Sequence, residues 1–122
     1  MEFICAAAGG FFGAGGRYLA SALPVWKNAA FPWGTLLINL AGAALIGFLA
    51  GIGERRPDIS PGWITFWKTG VCGGFTTFST FSLETLTLLE KGRLPLALAY
   101  AAGSVALCVL GVWAGRQLAR AL

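Results

Sequence analysis

The run Gly70-Val71-Cys72-Gly73-Gly74-Phe75-Thr76-Thr77-Phe78-Ser79-Thr80-Phe81-Ser82 sits in the middle of an apolar segment, residues 63–89. Adjacent glycines followed by β-branched hydroxyl residues make a poor helix, yet the segment is long enough to cross about 30 Å of hydrocarbon. Inside lipid, backbone released from helical bonding has to be satisfied by protein, water or an ion, because each orphan group costs several kcal/mol. A break at this depth therefore implies a lined cavity or a bound ligand. The competing reading is an unbroken helix whose glycines serve packing and whose hydroxyls bond back to carbonyls of the preceding turn.

Three more apolar runs of spanning length flank this one, at residues 3–23, 34–52 and 94–118. The connections between them hold the helix breakers and most charges: Pro24, Lys27, Asn28 and Pro32, then Glu54 to Asp58 with Pro61, then Glu90 to Arg93. Trp26 and Trp33 bracket the first turn, while Trp63 and Trp67 open the third run, the depth at which aromatic rings with one wet end settle. Of the 122 residues 57% are hydrophobic and 11% charged, whereas a soluble domain carries roughly 25% charged residues. Residues 1–122 thus read as one all-α membrane unit of four transmembrane helices, the third broken near residues 73–77 at the midplane. A cleaved signal peptide is the rival for the first run. Glu2 in place of a basic start, and a glycine-rich sequence in place of a plain apolar stretch, speak against it.

Four spans put the N-terminus, the second loop and the C-terminus on one side. Arg55, Arg56, Arg116, Arg120 and Lys68 fall there, against Arg17, Lys27, Lys91 and Arg93 on the other. Five against four is almost no positive-inside bias. Insertion in both orientations and insertion fixed by a single charge both stay open.

Small-residue ridges Gly9/Gly13, Gly47/Gly51 and Gly111/Gly115 mark faces where helices approach closely in lipid. Gly13, Gly15 and Gly16 before Arg17 lack the preceding strand that a phosphate-binding loop needs. Cys5, Cys72 and Cys108 lie one per span with no paired spacing, and histidine is absent, so they read as small apolar thiols. With one Asp, in a loop, and no paired intramembrane carboxylates, hydrolytic or proton-transfer chemistry lacks its usual groups. The chain is expected not to be an enzyme, and no nucleic acid is expected as a partner.

Thr76, Thr77, Ser79, Thr80 and Ser82 form a dense array of hydroxyls interleaved with Phe75, Phe78 and Phe81. Phe78 and Phe81, three apart, share a helical stripe, and the electropositive edge of a phenyl ring can meet an anion without holding it as a charge would. Asn39 supplies an amide from the second helix, and Tyr100 and Ser104, four apart, share a face of the fourth. Uncharged donors suit conduction, in which an ion has to be attracted enough to shed water and weakly enough to leave.

These features resemble the Fluc, or CrcB, family of fluoride channels over essentially the whole chain. The resemblance is carried by the glycine-rich first helix ending in Arg17, by Pro32-Trp33-Gly34-Thr35-Leu36 through Asn39 and Gly42, and above all by Gly70 to Phe81 with Glu84. Helix four matches more loosely. The resemblance implies a homodimer of two oppositely oriented subunits in the cell membrane, with two fluoride pores and one central sodium ion that is structural. It implies that Phe78, Phe81 and Asn39 line the pores, with Ser79, Thr77, Thr80, Tyr100 and Ser104 as the polar candidates beside them. Gly73 and Thr76 would hold the sodium by their backbone. Arg17 and Glu84 are further functional candidates, the latter as an ionisable group within a span. Function is then passive export of cytoplasmic fluoride, conferring fluoride resistance. One alternative is a small proton-coupled multidrug exporter, which needs a carboxylate inside helix one where only Glu2 is offered; the other is a non-conducting membrane assembly subunit.

Overall fold

The computed structural model describes residues 1–122, all of it helix and connecting turn with no strand. Helix α1 is Glu2–Ser21, α2 is Trp33–Arg55, α3 covers residues 61–75, α4 is Phe78–Glu90 and α5 is Leu94–Ala121. Together α3 and α4 make the third of four helices, broken between them. The four apolar runs read from the sequence correspond to these four helices.

Helix starts follow local chemistry. Ser60 precedes Pro61 at the first position of α3, where a missing N–H is harmless, and its hydroxyl accepts from the Trp63 N–H. Thr77 caps α4 by accepting from the Thr80 N–H at 3.1 Å. Asn28 and Gly92, both at positive φ, turn the chain in the first and third loops. Trp26 folds back over the first loop, donating to the Ala20 carbonyl at 2.8 Å and packing on Gly34.

The glycine ridges pair the helices. Gly9, Gly10 and Gly13 of α1 lie directly against backbone of Phe66, Gly70, Val71 and Gly74 in α3. Gly47, Gly51, Gly111 and Gly115 seat α2 on α5 in the same manner, against Val112, Arg116, Leu40 and Ala44. A methyl group at Gly9, Gly47 or Gly115 would run into the facing carbonyl oxygen of Phe66, Val112 or Ala44. Both pairs run parallel, because position numbers rise together along each seam. At their far ends Arg55 of α2 donates to the Ala119 carbonyl at 3.1 Å, and Glu54 is paired with Arg116 and Arg120.

Burial is inverted relative to a water-soluble protein. Only 19 of 122 residues are buried, whereas Phe3, Phe11, Leu19, Val109, Trp113 and many other large apolar side chains point outward. Helices α2 and α5 are long and apolar enough to cross a membrane, yet only 33% and 22% of their most apolar stretches are buried within the subunit. A chain with this outer surface takes lipid or another apolar partner as its solvent.

The break falls within the expected residues 73–77, at their far end, and the glycine pair itself is not where the helix opens. Gly73 and Gly74 remain helical, with Gly73 at φ −64° and ψ −37°. Gly74 serves packing instead, since a side chain there would meet Gly10 and Ala14 of α1. The helix opens at Thr76 and Thr77, which are extended at φ −79°, ψ 157° and φ −149°, ψ 115°. Upstream, Thr65–Cys72 winds as a π-helix, a wider turn common at functional sites.

Candidate functional site at the helix break

Two extended residues remove several backbone groups from the helical ladder, and each can be traced. The Thr76 N–H still reaches the Cys72 carbonyl at 3.0 Å, and the Thr76 hydroxyl donates to the same oxygen at 2.9 Å. The Thr77 N–H turns to the side-chain oxygen of Asn39 at 2.7 Å, while the Asn39 amide donates back to the Thr77 carbonyl at 3.1 Å. Asn39 thus replaces a neighbouring strand, satisfying donor and acceptor of one residue. Arg17 reaches over from α1 and donates through Nε to the Gly74 carbonyl at 3.0 Å. With the Thr77 N–H given to Asn39 and the Thr80 N–H given to the Thr77 hydroxyl, the carbonyls of Gly73 and Thr76 accept no bond from across the break.

A cavity of about 320 Å³ opens beside the break, lined by Asn39, Cys72, Thr76, Thr77, Phe78, Phe81, Ser104 and Cys108 together with small and aliphatic residues of α2 and α5. No charged side chain lines it. Phe78 and Phe81 stand 5.6 Å apart, centroid to centroid and tilted by 46°, and Phe81 packs on Tyr100 at 5.1 Å. Phe78 keeps 78% of its surface uncovered. The Ser104 hydroxyl is buried against this cavity and has no partner in the protein, so its proton is free to point inward.

Of the residues singled out from the sequence, the cavity brings together Asn39, Phe78, Phe81, Thr77, Thr76 and Ser104. Thr80 and Glu84 lie elsewhere, in a second cavity of about 430 Å³ beneath the first loop, with Trp26, Trp33, Thr35 and Lys91. Tyr100 is fully buried and faces neither cavity; its hydroxyl donates to Glu84 at 3.0 Å. Ser79 is exposed, its hydroxyl 3.3 Å from that of Thr77. Gly73 is exposed with open space where a side chain would stand. Sequence reasoning missed the Tyr100–Glu84 bond and the place of Cys72 and Cys108 in the lining. The Cys72 spacing, four before Thr76 on one helix, was the available signal for the first of these thiols.

The hydroxyls are not equivalent. Thr76, Ser82, Thr85 and Thr87 each donate to a carbonyl four residues back, which commits the proton and leaves only lone pairs outward. Away from the helices, Arg56 holds the Asp58 carboxyl below its ordinary range through hydrogen bonds at 2.9 and 2.8 Å.

Fold and site together define a small four-helix membrane protein whose third helix is interrupted to line an uncharged cavity of amide, hydroxyl and phenyl groups. Residues 4–116 match the family described as CrcB-like protein, Camphor Resistance (CrcB), and the chain belongs to that family. It is 44% identical over 120 residues to the fluoride-specific ion channel FluC of Nitrobacter winogradskyi, covering 98% of this chain and 95% of the relative. The relatives of the same name from Rhizobium meliloti and Rhodospirillum rubrum are 47% and 44% identical, over 94% of this chain and 93% and 92% of their own.

Proposed function

We infer that this chain is a fluoride-selective channel that lets fluoride leave the cytoplasm passively across the cell membrane. The observation that carries the reading is the uncharged cavity at the helix break, found in a chain that matches relatives of that name almost end to end. A fluoride ion needs donors to replace its water, and the free Ser104 hydroxyl and the phenyl edges of Phe78 and Phe81 offer them without a fixed charge that would trap the ion. Hydrogen fluoride enters cells as a neutral molecule and ionises inside. The membrane potential then drives the anion outward with about 2.3 kcal/mol per charge for each 100 mV.

The working unit is a dimer of oppositely oriented copies. Exposed Phe78 and the open side of the cavity support this, because one subunit leaves its own pathway uncovered; so does the near-balanced charge count, which gives insertion no strong preference. A structural sodium ion fits the break. The Gly73 and Thr76 carbonyls lack partners, the space beside Gly73 is open, and oxygen ligands suit a hard cation. When bound, the ion would be held by those carbonyls and would supply the positive charge that satisfies them.

The deciding experiment is fluoride efflux from liposomes containing the purified protein, followed with a fluoride electrode after the membrane is made permeable to a counter-cation. Rapid efflux far above protein-free vesicles is expected, with chloride retained. Vesicles that hold fluoride as tightly as empty ones would return the choice to an assembly subunit, and efflux only under a proton gradient to an exporter.

A further inference from the structure

Lys68 is the one basic residue of α3, and it stands eight residues beyond the Ser60 cap, about 12 Å along the axis at an ordinary helical rise. It is exposed, makes no hydrogen bond, and is absent from all three ion pairs of the subunit, which are Arg56–Asp58, Arg116–Glu54 and Arg120–Glu54. An unpaired charge at that depth within a span is expensive unless water reaches it. Its direction around the helix decides which water. Phe66, Gly70, Val71 and Gly74 are the positions that meet α1. Lys68 stands on the opposite face, in line with Cys72 and Thr76 four and eight residues on, and both of these line the cavity at the break. Helical side chains lean toward the N-terminus, so the ammonium extends from this face toward the wet end of α3 while its stem runs along the apolar surface.

The geometry points to Lys68 as the recruiting charge for the permeating anion, set at the mouth of the path that leads to the Phe78 and Phe81 cavity. This rests on the fluoride-channel reading and extends it. The cavity itself carries no charge and acts only at contact distance, so attraction over several ångströms has to come from outside it. A single ammonium about two helical turns before the break raises the local anion concentration without forming part of the narrow passage, where it would hold the ion. Lys68 does this as a positioning residue and touches the anion only in passing.

The test compares wild type with Lys68→Met, Lys68→Arg and Lys68→Glu in liposomes of uncharged lipid. Initial fluoride efflux is measured at about 0.01 M and about 1 M of an impermeant salt, where the screening length falls from roughly 30 Å to roughly 3 Å. Lys68→Met is expected to slow efflux about three- to tenfold at low salt, the scale for unit charges several ångströms apart in wet surroundings. The deficit should vanish at high salt. Lys68→Arg should match wild type, and Lys68→Glu should fall below Lys68→Met at low salt. Equal rates for wild type and Lys68→Met at both salts, or a deficit that persists unchanged at high salt, would overturn the proposal. A wild-type protein that releases no fluoride at either salt would instead overturn the channel reading on which it rests.

Discussion

Replacing Asn39 by Ala removes the only side chain that answers both backbone groups of Thr77. In the intact protein the Thr77 N–H and carbonyl meet the Asn39 amide at 2.7 and 3.1 Å. No other hydrogen-bonding group of the protein replaces it, since the Thr77 hydroxyl is already engaged with the Thr80 N–H and with Ser79. Each buried backbone group left unmatched costs about 1–3 kcal/mol. Two together amount to about 2–6 kcal/mol, and because Thr77 is half-buried and water can reach the cavity, the lower end applies. A penalty of about 2 kcal/mol reduces the population of the broken geometry by roughly 30-fold if a helical alternative competes with it. Fluoride efflux from Asn39→Ala liposomes should therefore fall at least tenfold, and the detergent-solubilised protein should unfold several degrees earlier. Efflux within twofold of wild type, with an unchanged unfolding temperature, would refute the idea that Asn39 holds the break open.

Phe78→Ile and Phe81→Ile keep apolar bulk and remove the ring edge, so each should slow fluoride efflux by an order of magnitude or more in the electrode assay, with undiminished flux in both rejecting the phenyl role. Gly115→Ala sets a methyl against the Ala44 carbonyl and the Phe48 N–H; it should cost about 1–3 kcal/mol, seen as earlier thermal unfolding in detergent. Gly103→Ala on the same helix meets nothing within 4 Å and should be neutral or slightly stabilising. Exchanging sodium for a bulky organic cation should weaken subunit association on size exclusion and silence efflux together; retention of both would remove the ion from the account.

Spans were legible in the sequence because they need only composition and length, and the small-residue ridges because close helix approach in lipid selects residue size. The interruption of the third helix was legible within residues 73–77, but the residues expected to open it were the wrong ones. Poor intrinsic propensity pointed to Gly73 and Gly74, whereas α1 presses on Gly74 and keeps that turn helical. The opening moves on to Thr76 and Thr77, where Asn39 offers replacement bonds from 38 residues away. No local pattern announces a pairing of that range. The wide turns of Thr65–Cys72 were hidden for the same reason, as they lie along the seam with α1. Tyr100 and Ser104 were placed four apart on one helical face, but the longer reach of the phenol was not foreseen: it runs to Glu84 while the serine stops beside the cavity.

The two glycine seams join α1 to α3 and α2 to α5, whereas α1 and α2, neighbours in sequence, touch only sparsely. During synthesis the first two helices would thus leave the ribosome before either has its packing partner. Each has to remain in the bilayer on its own hydrophobicity until the helix two places later arrives, with its smooth glycine face open to any other apolar helix nearby. Completion is consequently stepwise and ends late: the α1 seam can close once α3 is made, whereas the α2 seam cannot close before the last helix is made, and a chain truncated after α4 would present α2 as an unpaired surface to the quality-control machinery of the membrane.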